Sequence, residues 1–517
     1  MPESAIITIP PANTMAERFK PNVPRANSAA TVQIPWPTGG LPTEIFTNIL
    51  LVTLSNLHFD SFGGVATALK CLYQLRLVSS AWRRIVDNTP PLWTFIESSV
   101  PPDIVDIALK RSEASLLSIR VRRNAFATAS SFMQKVVPHV GRWKVADLSD
   151  TACEYLPRTP APRLQEIALI GDHDMVSNPE ILRGELPSLQ RLTLDHVHFT
   201  GPLPSFGRNL RFLTIRQSRS TDRDITYTEI HRLLLLHLNL VEVELGASRW
   251  SEALPNPEIL EDVRLPSLRR FSLLGLGYDG LASLPLLQKI TAPNCSSFEF
   301  GTHHLPEKSL DLLQAVEPYF ASVVATTSKD LKLSITNDTE FELAIGRGES
   351  KFKLSTRSPR PGLELAWVVD MLTRYHPNVT YLKLLTRSTP SHDELSKLFM
   401  VLTAVTEFHV GSILEVWDML GRPAAAVVER GPAQWFLQAL EKLAVVDRQG
   451  IGDQRLFAAI RAREAAATEM DSTGSLAEHR PVRLKQVEYR APPWVPGDRR
   501  WSELLGDRFV LECLKMF

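Results

Sequence analysis

The sequence predicts an α/β fold in two parts, a small all-helical unit near the N-terminus followed by an irregular α/β solenoid. Three observations predict it. Between Leu41 and Trp93 the apolar residues fall at helical spacing. From residue 116 onward, short segments of the form LxxLxL recur, each following a helical stretch. The chain of 517 residues has room for roughly three units at about 150 residues per domain, or for fewer if one is built by recurrence.

The composition removes several classes of function. Hydrophobic residues at 44% and charged residues at 22% are those of a folding, globular chain. Fifty-seven Lys and Arg against 57 Asp and Glu leave no net field to draw the chain onto nucleic acid or an anionic membrane. The N-terminus lacks a basic region followed by an apolar one, and no uninterrupted apolar stretch reaches the ~18 residues of a membrane span. Cys71, Cys153, Cys295 and Cys513 show no CxxC spacing, so neither a zinc knuckle nor a disulfide framework is expected. The expected location is intracellular, cytoplasmic or nuclear.

Residues 1–37 are rich in Pro, Ala, Asn and Ser and are expected as a disordered leader. At LPTEIFTNILLVTL, the rows Leu41, Ile45, Ile49 and Phe46, Leu50, Leu54 give one broad apolar face on a helix, with Pro42 and Glu44 suited to its first turn. A polar gap, SNLHFDSFGG, separates it from a second helix at ALKCLYQLRLV. A third helix follows at SSAWRRIV, capped by Ser79 or Ser80 and stopped at Asn88-Thr89-Pro90-Pro91. Leu92-Trp93 is expected to fold back onto these helices. So small a unit gains from burial against a partner or a following domain.

Strands are expected to start at residues 116, 143, 164, 189, 210, 240, 268 and 296, with spacings of 27, 21, 25, 21, 30, 28 and 28 residues. The mean is about 26, inside the leucine-rich-repeat window of about 20 to 29. Pro-Ser-Leu or Asn-Leu precedes several of them, at Leu186-Pro187-Ser188-Leu189, Leu265-Pro266-Ser267-Leu268, Asn209-Leu210 and Asn239-Leu240. Further strands are expected at VTYLKL and TEFHV, each after a helix, and at VRLKQVEY from 482 to 489. Residues 421–480 read as mostly helical. The expected domains are 1–37, 38–97, a solenoid over 98–420, and a helical, capping region over 421–517.

Two motifs invite a chemical reading. Gly275-Leu276-Gly277-Tyr278-Asp279-Gly280 is a literal GxGxxG after a strand, with Glu299 further on, but Pro285 interrupts the helix that a pyrophosphate needs. A turn is the better reading. His196 and His198 alternate at the end of LTLDHVHF and would share one face of a strand, yet no third metal ligand stands nearby. No GxSxG, HExxH or GxxxxGK[ST] segment occurs. These patterns nominate no catalytic residue, metal ligand or cofactor site.

The block from Leu41 to Trp93 resembles an F-box. The residues that carry the resemblance are Leu41-Pro42-x-Glu44-Ile45 with Ile49-Leu50, then Leu75-Arg76-Leu77-Val78-Ser79-x-x-Trp82-Arg83 with Ile85, and Pro91-Leu92-Trp93. The pattern is similar to that of fungal F-box proteins with leucine-rich-repeat-like C-terminal parts, and it covers about a tenth of the chain, with a longer stretch between Leu50 and Leu75 than the compact family pattern has. The resemblance implies a three-helix F-box over 38–97, then an irregular leucine-rich-repeat-like α/β solenoid. It also implies that the F-box binds the Skp adaptor, and through it cullin, while the remainder holds a protein substrate for ubiquitination. Leu41, Pro42, Ile45, Ile49, Leu50, Leu77, Val78, Trp82 and Ile85 would then supply the adaptor-facing and supporting positions. The protein would be a non-catalytic receptor subunit of an SCF-type ligase. The alternative is a protein-interaction scaffold unconnected with ubiquitin.

Overall fold

A computed structural model of the chain describes residues 43–59, 64–122, 126–153, 155–156, 159–171, 180–183, 185–197, 206–217, 226–247, 260–276, 284–302, 309–327, 330–336, 340–347, 349–357, 361–386, 390–411, 414–424, 434–446, 453–468, 481–491 and 499–513. The expected leader, together with Leu41, Pro42 and His198, lies outside them. The chain divides into two compact units, Met1–Ser55 and Asn56–Phe517.

The helix that begins in the first unit, α1 (Thr43–Phe59), has Glu44 in its first turn, where a carboxylate meets the positive end of the helix dipole. It runs five residues, Ser55 to Phe59, into the stretch expected as a polar gap. Asn56, Leu57, His58 and Phe59 contain neither Gly nor Pro, so nothing in them breaks the helix.

The second unit begins with α2 (Gly64–Val78) and α3 (Ser80–Asp87). Ser79 caps α3: its hydroxyl accepts from the Trp82 N–H at 3.2 Å. A short 3-10 turn over Pro90–Trp93 follows, then β1 (Phe95–Glu97), α4 (Pro102–Arg111), β2 (Leu117–Arg120), α5 (Phe126–Val136), β3 (Trp143–Ser149) and α6 (Asp150–Cys153). Next come β4 (Glu166–Ile170), β5 (Arg191–Asp195), β6 (Phe212–Gln217), α7 (Tyr227–Leu236), β7 (Glu242–Ala247), the two-residue β8 (Val263–Arg264), β9 (Arg270–Leu276), α8 (Leu284–Lys289), the two-residue β10 (Ile290–Thr291) and β11 (Ser297–Thr302). All eight strands expected from residue 116 to 296 are present, each within two residues of its expected start.

From α9 (Ser309–Thr327) the chain departs from helix–strand alternation. It forms β12 (Asp330–Thr336), β13 (Glu340–Arg347) and β14 (Ser350–Arg357) in succession before α10 (Pro361–Tyr375) and β15 (Tyr381–Thr386). Then follow α11 (His392–Val401), β16 (Glu407–Gly411), α12 (Leu414–Leu420), β17 (Pro423–Ala424), β18 (Gln434–Trp435), β19 (Lys442–Val446), α13 (Asp453–Thr468), β20 (Gln486–Ala491), α14 (Arg499–Leu505) and β21 (Phe509–Cys513). Residues 421–480 thus hold three strands besides a helix, where a mostly helical segment was expected. The run Leu443-Ala444-Val445-Val446 explains β19: it is short, apolar and β-branched at its end, and it is covered on both faces.

Seventeen of these strands form one sheet, with β8–β10 and β17–β18 as separate pairs. Pairing runs in parallel from β1 through β2, β3, β4, β5, β6, β7 and β9 to β11. There β11 pairs with β14, which pairs antiparallel with β13, which pairs antiparallel with β12. Parallel pairing then resumes through β15, β16, β19, β20 and β21. The fold is therefore α/β with a large, mostly parallel sheet that does not close into a barrel.

Alternate residues explain the two faces. Ile167 and Leu169, Leu192 and Leu194, Leu213 and Ile215, and Val243 and Leu245 are all buried, while their neighbours are partly open. Under the centre of the sheet an aromatic cluster forms: Phe298 stacks on Tyr319 at 4.3 Å and on Phe352 at 5.5 Å, and Phe320 meets Phe352 edge-on at 5.2 Å. Such pairs contribute about 0.5–1.5 kcal/mol each beyond area burial.

One hydrogen-bond device recurs at the strand starts. The carbonyl of the residue just before one strand accepts from two successive N–H groups of the next. Gln165 O accepts from Gln190 and Arg191, Gln190 O from Arg211 and Phe212, and Arg211 O from Val241 and Glu242. Val241 O accepts from Arg269 and Arg270, and beyond the antiparallel insertion Thr406 O accepts from Glu441 and Lys442. A tight turn precedes many of these starts, as in Leu189 N to Leu186 O and Leu268 N to Leu265 O, both 3.2 Å. The Pro-Ser-Leu and Asn-Leu signatures are explained here. Ser188 Oγ donates to Pro162 O at 2.6 Å, and Asn209 and Asn294 Nδ2 donate to Pro187 O and Pro266 O, both at 2.7 Å. Each polar side chain ties one turn to the turn before it.

At the opposite ends of the strands, Gly171 N donates to Asp195 O at 2.7 Å, and a Cβ on Gly171 would lie 2.1 Å from His196 O. Only glycine admits that approach.

Candidate functional site

The residues singled out in the sequence are divided between the two units. In the first unit, α1 carries Ile45, Ile49 and Val52 with 46%, 50% and 61% of their surface exposed. Their spacing of four and three residues sets them on one helical stripe. Leu50, grouped with them as an adaptor-facing or supporting position, is buried. Val52 was not picked out, although the same spacing contains it.

In the second unit, Leu77 and Val78 end α2 and are 77% and 54% exposed. Trp82 and Ile85 on α3 are half-buried. This corner is firmly held. Buried Trp93 donates its indole N–H to Val86 O at 2.8 Å, packs edge-on against Tyr73 at 6.3 Å, and lies under the Arg111 guanidinium at 4.7 Å. Asp87 accepts ion pairs from Arg76, at 2.8 Å, and from Arg111. Burial, with Arg76 beside it, lowers the pKa of Arg111 below the ordinary guanidinium value. The Leu92-Trp93 pair does fold back, as expected, and it fixes the end of α3 to α4.

Two exposed aliphatic side chains thus stand beside the capped turn at Ser79. Water surrounds both at a cost that contact with an apolar partner would recover.

The chemical motifs resolve into structure. Gly275, near the end of β9, has φ of +65°, and the next described helix, α8, has six residues from Leu284. Gly277, Tyr278, Asp279 and Gly280 lie outside the described residues. His196 does not extend β5 as the alternating pattern required. It has φ of +57°, and its Nε2 lies 3.3 Å from Asp195 Oδ1. Among the described residues no three His, Cys, Asp or Glu side chains gather as a metal set. Burial pushes the Cys295 thiol up to about 12, so it is no nucleophile at neutral pH.

Concave features also occur among the described residues. A cleft of about 370 Å³ lies among Ser98, Pro101, Arg122, Phe132 and Lys135, but Arg122 is paired with buried Glu97 and Lys135 with Asp106. A larger open groove runs along the strand starts at Asn209, Arg211, Asn239, Arg269 and Asn294. No helix among the described residues is long and apolar enough to cross a membrane. No protein-family model matches the chain, and a search of curated proteins finds no match either.

Proposed function

We propose that the protein is the substrate-recognition subunit of an SCF-type cullin-RING ubiquitin ligase. The region around Leu41–Trp93 acts as an F-box that binds the Skp adaptor, and the sheet-bearing region, read as a leucine-rich-repeat-like solenoid, binds a target protein. The observation that carries the reading is the exposure of Leu77 and Val78 at the Ser79 turn, within the segment that resembles the F-box pattern, together with exposed Ile45 and Ile49. Aliphatic anchors of this kind are what a helical partner uses as hot spots.

In this role the chain breaks no bond itself. It raises the effective concentration of a target lysine beside a ubiquitin-charged enzyme and holds its orientation. The test is affinity purification of the full-length protein with purified Skp adaptor and cullin. Capture of both supports the ligase reading. Capture of the adaptor without cullin makes the protein an assembly scaffold, and capture of neither removes the F-box assignment.

A further inference from the structure

The rim of the sheet where the strands start is chemically one-sided in its first half. At equivalent positions just before successive strands stand Gln165, Gln190, Arg211, Val241, Arg269 and Ser296. Arg211 and Arg269 are exposed, and neither pairs with a carboxylate among the described residues. In the second half of the same rim Lys485 pairs with Glu441 at 2.7 Å. On the open face of the sheet the neighbouring arginines are likewise matched, Arg216 with Glu244 at 2.7 Å and Arg270 with Glu242 at 3.6 Å.

The groove of about 930 Å³ between Arg211 and Arg269 is lined by donors. Asn209, Asn239, Ser267, Asn294 and Ser296 join the two arginines, and no acidic residue contributes. Asn209 and Asn294 are held in place by one amide hydrogen each, donated to the preceding turn. The second hydrogen of each amide is left for a ligand. Arg211 and Arg269 sit two strands apart, with Val241 between them, which separates their backbones by about 9.6 Å at ~4.8 Å per strand. Long guanidinium side chains converging from that distance can grip a single dianion from both sides. Planar forks and neutral amide donors suit a phosphate monoester, which presents three acceptor oxygens and about two negative charges.

We infer that this groove is a binding site for a phosphate monoester. Its argument is independent of the proposed ligase function, because none of its residues belongs to the adaptor-facing surfaces. The monoester is either a small metabolite or a phosphorylated side chain of another protein, and the two sources are separable.

Calorimetry with the full-length protein tests this, using phenyl phosphate, a phosphothreonine heptapeptide and the same heptapeptide unphosphorylated. At least one phosphorylated probe binds, the unphosphorylated peptide binds at least tenfold more weakly, and Arg211→Gln/Arg269→Gln weakens binding at least tenfold. Lys485→Gln at the matched end of the rim leaves it unchanged. Phenyl phosphate binding as tightly as the phosphopeptide identifies a small metabolite as the source, and tighter phosphopeptide binding identifies a protein partner. Should the double variant lose its circular dichroism spectrum, Arg269→Lys serves in its place: it keeps the charge, loses the fork, and still weakens binding. No binding of either phosphorylated probe, or equal binding by a folded double variant, overturns the assignment.

Discussion

The double substitution Leu77→Ala/Val78→Ala separates docking from folding. Both side chains already face solvent in the free protein, at 77% and 54% of their surface, so truncation removes little buried area and opens no cavity. The change in folding stability is expected within about 0.5 kcal/mol. Binding is another matter. Full burial of a leucine or valine side chain is worth about 1.5–3 kcal/mol, and scaling by the exposed fractions, less the methyl that alanine keeps, leaves about 2 kcal/mol for the pair. At about 1.4 kcal/mol per decade, the variant binds the Skp adaptor about thirtyfold more weakly. Biolayer interferometry with immobilised adaptor measures the loss, and urea denaturation checks the fold. A variant that melts like the parent and binds equally well refutes the assignment of this corner as a docking surface.

Three further predictions concern the fold. His237 is buried with no partner on Nδ1, and desolvation lowers its pKa below the usual 6.5, so the unfolded chain binds the proton more readily. Its contribution to stability is therefore complete above the unfolded value and is lost as pH falls through it toward the folded value; His237→Phe flattens the decline measured by urea midpoints between pH 7 and 5. Gly171→Ala sets a Cβ against His196 O and costs about 1–3 kcal/mol, read as a lowered thermal midpoint. Arg463, with its pKa lowered by burial to about 10, donates to the carbonyls of Phe436, Leu437 and Gln438. Arg463→Met strands these acceptors at about 1–3 kcal/mol for each one left dry, and hydrogen exchange accelerates first across 434–446.

Much of the sheet was legible because leucine in LxxLxL fixes both the strand and the face that it buries. Leu192 and Leu194, or Leu213 and Ile215, could be assigned inward from sequence alone. The strands β12 to β14 were missed for a definite reason. A search for helix–strand alternation passes over three consecutive strands, although LKLSIT, EFELAIGR and SKFKLSTR each alternate apolar and polar residues cleanly. The helical reading of 421–480 followed alanine and arginine content, and tertiary burial overrode that propensity at Leu443-Ala444-Val445. For the residues expected to face or support the adaptor, sequence placed Ile49 and Leu50 side by side in one group, but only the packed chain shows Leu50 buried and Ile49 half exposed. The rim arginines carry no local signature at all. They lie 58 residues apart, and the strand register brings them to one groove.

The hairpin strands β13 and β14 stand between β11 and β12, which point the same way. Adding two antiparallel strands preserves direction and adding one would reverse it, so the interruption is tolerated only in even numbers. Excising both would leave β11 and β12 correctly oriented to zip together, with every later strand unchanged in polarity. The molecule thus contains a length-adjusting cassette, a place where chain can be gained or shed in pairs of strands while the two flanking parallel runs remain in phase.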